Sequence, residues 1–364
     1  MNKIHKIKEN LEKHLLKQFK IYPEKSKVKV YNLPDWITFG NSRGTGAYTP
    51  GLYTMIDNTS HLLDCPEIAQ TLFHEHFGHG LYSEHTQTGR ELTRLMQEAK
   101  KEETAANPRT SEELRNFRAT NTTIQRLIDE KTKHYPEREG FAVWMQHYLS
   151  NITGRQGEFK KTLRKASEHL REITEKLIRF SASYGEHALL YDLGFPKHYN
   201  KEIIKNLLQR IYPANDIKLA LLYGSRKPHS DIDIFIVSDR IKREDCEWLD
   251  ISSVDVKLFE DLVSKLDISV TDPLFTGETI LGDERYLEQT QKKILSLEIT
   301  PEQIKYHKQH AEKAKQIALN APTPKHSQTA MRYNWSYLAN AKELEKGRKA
   351  LTLKQLMNTH HLNQ

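Results

Sequence analysis

Cysteine is nearly absent. Cys65 and Cys246 are the two in 364 residues, and they form no CxxC pair. A disulfide framework is therefore excluded, and a cytoplasmic setting is the expectation. Long apolar runs are also missing: none nears the ~20 residues that span a bilayer. The opening Met1-Asn2-Lys3-Ile4-His5-Lys6 has no signal-peptide core, so no membrane partner is expected. No internal repeat or low-complexity tract occurs. What remains is a surface-rich chain, 37% hydrophobic and 28% charged, long enough for two or three domains.

Charge is unevenly spread over the net +7. Residues 1–30 carry nine lysines against three glutamates, and residues 301–364 carry eleven Lys or Arg against four Glu. The middle is acidic by difference. Basic ends around an acidic centre could guide nucleotides or nucleic acid; they also fit solvated faces of amphipathic helices.

One segment carries the most chemistry. Leu219 to Leu222 is a hydrophobic run leading into the turn Gly224-Ser225, and Asp231-Ile232-Asp233 opens a second β-prone run to Val237. Side chains alternate on a strand, so Asp231 and Asp233 share a face and can hold hard cations together. A glycine turn with free backbone N–H groups beside them suits a triphosphate carried on Mg²⁺. Downstream, Val254-Asp255-Val256-Lys257-Leu258-Phe259 alternates like a further strand, which makes Asp255 the expected third carboxylate. Like charges so close need metal to relieve them, and two divalent ions would serve an in-line phosphoryl displacement. Asp255 is then the group expected to activate the acceptor hydroxyl.

Gly224-Ser225, Asp231-x-Asp233 and Asp255 resemble the signature of the DNA polymerase beta superfamily of nucleotidyltransferases, above all its minimal branch. The resemblance covers roughly residues 200–290 and implies transfer of NMP from an NTP, such as ATP, to an acceptor hydroxyl with release of pyrophosphate. Gly224, Ser225 and Arg226 would grip the nucleotide, while Asp231, Asp233 and Asp255 would hold Mg²⁺. The five-residue loop from Arg226 to Ser230 is shorter than the family pattern.

A second motif lies upstream in Leu72-Phe73-His74-Glu75-His76-Phe77-Gly78-His79-Gly80. Pro66 marks a helix start, and Phe73, Phe77 and Leu81 recur at helical spacing. On an ideal α-helix His74 and His79 lie about 140° apart, whereas Glu75 and His76 stand within about 40–60° of His79. A regular helix would thus cluster Glu75, His76 and His79. A π-turn, eased by Gly78, would instead join His74 to His79 and free Glu75. A catalytic zinc needs a third protein ligand, for which His85 and Glu139 are the alternatives.

His74-Glu75-x-x-x-His79 with the later Glu139-Gly140-Phe141-Ala142 resembles the tyrosine carboxypeptidase-like metallopeptidases, which pair H-E-x-x-x-H with Glu-Gly-Leu-Ala. That resemblance implies zinc on His74, His79 and Glu139, with Glu75 activating water and a peptide as substrate. Upstream, Gly44-x-Gly46 is a poor nucleotide loop and reads better as a turn or edge strand before the peptidase site. Leu52–Ile56 is a short β-prone run, closed by Asp57 and Asn58.

The expected fold is α+β: a mostly helical zincin-like domain (1–195), a small mixed-sheet α/β nucleotidyltransferase domain (196–298) and C-terminal helices (299–364). Loops are expected at Asp272-Pro273 and Gly277. The leading functional expectation is a bifunctional enzyme acting on an unknown acceptor (protein, tRNA or small molecule). A sensor or scaffold binding nucleotide and zinc without turnover, and a defence or toxin–antitoxin component modifying a partner protein or tRNA, are the alternatives.

Overall fold

The computed structural model describes residues 2–25, 27–31, 46–49, 53–57, 66–197, 200–212, 216–227, 230–239 and 248–360. The chain divides into two compact units, Met1–His198 and Tyr199–Gln364. Cys65, Cys246 and residues 39–45 of the glycine-rich segment lie outside the described residues.

In the first unit, α1 (Asn2–Phe19) is followed by β1 (Lys27–Tyr31), β2 (Gly46–Thr49) and β3 (Tyr53–Asp57). These form a sheet of order β1-β3-β2, with β3 parallel to β1 and antiparallel to β2. Then come α2 (Pro66–Thr71), an eight-residue π-helix (Leu72–His79) and α3 (Gly80–His85) in one continuous rod. The helices α4 (Gln87–Ala106), α5 (Ser111–Thr120), α6 (Thr122–Lys133), α7 (Tyr135–Ile152), α8 (Gln156–Lys165), α9 (Glu168–Tyr184) and α10 (Glu186–Asp192) complete it.

The core explains the rod. Leu72, Phe73 and Phe77 of the π-helix pack with Leu81, with Leu11, Leu15 and Phe19 of α1, and with Phe141, Trp144, Met145 and Leu149 of α7. Runs of π-winding are rare because their hydrogen bonds are poorly placed. Here apolar burial on both flanks offsets that penalty, each large side chain contributing about 1.5–3 kcal/mol. Small residues let α7 come close on two sides. A Cβ on Gly78 would meet the Ala142 backbone, and one on Gly140 would meet Ile173 of α9.

The second unit holds α11 (Lys201–Ile211), β4 (Ile217–Tyr223), β5 (Ile232–Ser238), β6 (Leu249–Val254), α12 (Val256–Ser264), α13 (Ile268–Thr276), β7 (Glu278–Gly282), α14 (Glu284–Ser296), α15 (Pro301–Leu319), α16 (Pro324–Glu345) and α17 (Leu353–Thr359). Its sheet has the order β6-β5-β4-β7; β4 is antiparallel to both neighbours, and β5 and β6 are parallel. Leu219, Leu221, Phe235 and Val237 face Phe259, Val263, Val270, Leu274 and Ile294 in one core. Ala220, Leu222, Ile234 and Ile236 on the opposite face are buried as well, so the central strands are covered on both sides.

Residues 299–364 share this unit with the sheet instead of standing apart. The buried Asp267, N-cap of α13, accepts hydrogen bonds from the hydroxyls of Tyr306 (2.6 Å) and Tyr337 (3.2 Å), which tie α15 and α16 to the sheet's helices. The fold class is α+β, mostly helical with a small mixed sheet.

Two local expectations are corrected. The alternating run from Val254 is strand only as far as Val254. Asp255 caps α12, its carboxylate accepting from the Leu258 N–H at 2.7 Å. Val256, Phe259 and Val263 recur at helical spacing, and the cap settles the competition between the two periods. Asp272-Pro273 lies inside α13 and is not a loop, the proline being held within a well-buried helix. No described helix is long and apolar enough to cross a membrane.

Candidate metal centres

In the first unit, π-winding brings residues five apart onto consecutive turns, as the Gly80 N–H to Glu75 carbonyl bond shows. The imidazoles of His74 and His79 stand 4.8 Å apart between ring centroids. Glu139, in the second turn of α7, reaches between them: Oε2 lies 3.5 Å from His74 Nε2 and Oε1 lies 3.4 Å from His79 Nε2. The three side chains offer donor atoms within 4.8 Å of one another, a set able to hold a metal ion. The Gly78–Ala142 crossing sets this geometry, because Ala142 stands one turn beyond Glu139 on the face that meets the rod.

Electrostatics hold the group together. Burial alone would raise the Glu139 carboxyl, but hydrogen bonds and charge from His74 and His79 outweigh it and keep Glu139 well below the usual carboxylate range. Burial alone would lower His74, but Glu139 and Glu75 raise it above the usual imidazole value. Arg138 adds a contact of 3.1 Å to Glu139. Gln146, two turns beyond Glu139, hydrogen-bonds His74 and is itself held by Gln70, whose amide donates to Ser150 at 2.9 Å. His79 Nδ1 is buried without a hydrogen-bond partner among the described residues.

The other histidines are occupied elsewhere. His76, fully buried, turns toward Glu12 on α1 at 3.4 Å. His85 Nε2 lies 2.9 Å from the Tyr22 carbonyl, outside the cluster. Glu75 is half-buried beside His74 and contributes to its field. β2, at the end of the sheet order among the described residues, packs on the π-helix.

In the second unit, parallel pairing sets Asp233 of β5 opposite Asp250 of β6. Asp231, two residues before Asp233, falls on the same face. Asp231, Asp233 and Asp250 present carboxylate oxygens within 4.8 Å of one another. Asp255 is not the third acid of this cluster. It follows Asp250 by five residues along the strand direction, roughly 16 Å at the usual rise, and its carboxylate is spent on the α12 cap.

Asp250 carries a signal in the sequence. Leu249-Asp250-Ile251 repeats the pattern of Ile232-Asp233-Ile234, an acid between two apolar residues at a strand start.

Mutual repulsion is visible in the acids. Burial first, then the charges of Asp231 and Asp250, push the Asp233 carboxyl up to about 6. Asp250 is raised by burial and by Asp231. The neighbouring Tyr223 is pushed up to about 12, mainly by burial and also by Asp233 and Asp250.

Gly224 has φ +81°, and a Cβ there would collide with the Asp233 carboxylate. The turn therefore needs glycine both for its left-handed backbone and for the close approach. Ser225 donates to Ser230 Oγ at 3.0 Å, and Ser230 Oγ donates to the Lys227 carbonyl at 2.9 Å, so the described part of the loop pins itself. Arg226, at φ +50°, directs its guanidinium to the Leu222 carbonyl and to Glu278, each at 3.2 Å.

Comparison of the chain with protein-family models and with curated proteins finds no match.

Proposed function

We propose that the second unit is a Mg²⁺-dependent nucleotidyltransferase that moves NMP from an NTP to an acceptor hydroxyl. The observation that carries this reading is the convergence of Asp231, Asp233 and Asp250 beside the Gly224 turn. All three ligands are hard oxygens, two of them exposed, which leaves room for the waters and phosphates that Mg²⁺ retains. Repulsion among the carboxylates gives them a reason to take up a cation.

In this reading Asp231 and Asp233 would hold the metal, which supplies charge neutralisation for the triphosphate. Backbone N–H groups of Gly224 and Ser225 face the phosphate oxygens. Asp250, in place of Asp255, orients the acceptor and takes its hydroxyl proton. The acceptor oxygen bonds to the α-phosphorus, the bond to the β-phosphate oxygen breaks, and pyrophosphate leaves. Arg226 serves by fixing the loop through Leu222 and Glu278.

Incubation of the full chain with labelled NTPs, Mg²⁺ and a cell extract is the test. Label transfer that Asp231→Asn with Asp233→Asn abolishes is the expected result. Undiminished transfer by that variant would remove the assignment.

For the first unit we propose a zinc metallopeptidase-like site on His74, His79 and Glu139. One donor atom from each of the three lies within 4.8 Å of the others, and two imidazoles with one carboxylate are a ligand set that suits zinc. Zinc would supply a Lewis acid for the scissile carbonyl. Glu75 takes a proton from the attacking water and passes it to the leaving amine. Metal analysis of wild type against His79→Ala tests the site; equal zinc in both would refute it.

A further inference from the structure

Arg138 and Glu139 are consecutive in α7, yet a guanidinium N–H of Arg138 donates to Glu139 Oε1 at 3.1 Å. Neighbours in sequence point about 100° apart around a helix and do not face one another. The arginine must therefore fold back along the helix surface to make this contact. Its side chain is 24% exposed, and its Nε is buried without a hydrogen-bond partner among the described residues. Holding a long side chain in one rotamer costs entropy, and burying an unpaired N–H costs solvation. The contact with Glu139 is what offsets both.

That contact falls on one oxygen only. Glu139 Oε1 meets Arg138 at 3.1 Å and His79 Nε2 at 3.4 Å, whereas Oε2 meets His74 Nε2 at 3.5 Å. A carboxylate oxygen that accepts from a guanidinium has part of its charge and lone-pair capacity committed. A cation seated between the imidazoles is then drawn to Oε2. This bears directly on the chemistry. A catalytic zinc takes three protein ligands and leaves its fourth position to water. A carboxylate that gripped the ion through both oxygens would fill that position.

We propose that Arg138 is a positioning residue for the metal centre of the first unit: by occupying Oε1 it makes Glu139 a one-oxygen ligand through Oε2 and keeps a coordination position open. This rests on the metal-site reading of His74, His79 and Glu139, and adds to it a residue that neither sequence motif contains.

The test takes the full chain, stripped of metal by a chelator and returned to excess Mg²⁺ so that hard-oxygen sites are filled. Co²⁺, which imidazole ligands favour over Mg²⁺, is then added and followed by visible absorption. Its bands weaken as its coordination number rises. Arg138→Ala should bind Co²⁺ at least as tightly as wild type, since a positive charge beside the site is gone. Its bands should be weaker, because Glu139 adds its second oxygen. Arg138→Lys keeps a charged donor on a flexible stem and should return the bands to wild-type intensity.

An arginine that only supports the fold gives a different result: weaker Co²⁺ binding in Arg138→Ala, with unchanged band intensity for each bound ion. That result would overturn the inference, as would bands in Arg138→Lys no stronger than those of Arg138→Ala. Either outcome leaves the His74, His79 and Glu139 site standing. Wild-type protein that takes up no Co²⁺ would instead remove the metal site, and the inference with it.

Discussion

Gly78 and Ala142 meet backbone to backbone: a Cβ on Gly78 would stand 2.6 Å from the Ala142 Cα and 2.7 Å from its Cβ. The rod and α7 therefore cannot separate without drawing Glu139 away from His74 and His79. Gly78→Val should destabilise the first unit by about 1–3 kcal/mol through overpacking and lower its bound metal. His85→Ala, which removes a ring contact to the Tyr22 carbonyl outside the cluster, should keep the metal. Thermal unfolding and metal analysis of both variants check this; full metal content in Gly78→Val would show that the crossing does not set the site.

The metal-free protein should have a pH window of greatest stability in this unit. Glu139 is depressed from 4.5 on folding, so its contribution is present above that value and is lost as pH falls through its lower folded value. His74 is raised from 6.5, so its contribution is complete below 6.5 and is lost as pH rises through its folded value. Both act together between 4.5 and 6.5. Denaturant midpoints of chelator-treated protein should be higher at about pH 5.5 than at about pH 8. Glu139→Gln should flatten that difference, and a slope retained in the variant would contradict the pairing.

In the second unit the half-buried carboxylate Asp233 has the sign opposite to Glu139. Asp233 is raised to about 6 from 3.8, so folding disfavours its charged form and stability is lost as pH rises through that interval. Asp233→Asn should therefore raise the melting temperature of metal-free protein at neutral pH by a few degrees while abolishing nucleotidyl transfer. Mg²⁺ should stabilise wild type more than the variant. A lower melting temperature for Asp233→Asn without metal would argue against carboxylate repulsion.

Asp250 and Asp255 can be separated by substitution. Asp250→Asn should reduce kcat for transfer by a hundredfold or more, on the scale of a lost general base, without loss of stability, since it too relieves a raised carboxylate. Asp255→Ala should cost about 1 kcal/mol as a lost helix cap and keep transfer. Initial rates and urea midpoints for both would reveal a reversal, which would restore Asp255 to the site.

Local pattern reached far into this protein. Ile232 to Val237 and Leu219 to Leu222 lie on strands, and the Asp231-x-Asp233 pair shares a face, because alternation on a strand is a property of the chain itself. The helical run from Pro66 was equally legible from its apolar spacing. Asp250 was not. Its place beside Asp233 depends on the parallel register of β5 and β6, which no short window contains. The six residues from Val254 satisfied a strand period and the start of a helix at once, and the Asp255 cap decided between them.

The amino-acid order alone thus supplied the ligand types, their spacing and the strand that carries Asp233 with Asp231 just before its start, since these follow from backbone geometry over a few residues. Only the folded chain decided that Leu72–His79 winds as a π-helix against α7, that Glu139 and not His85 meets the histidines, and that Asp250 completes the acidic cluster. Each of those outcomes is set by contacts between segments distant in sequence, where burial and hydrogen-bond register outweigh local preference.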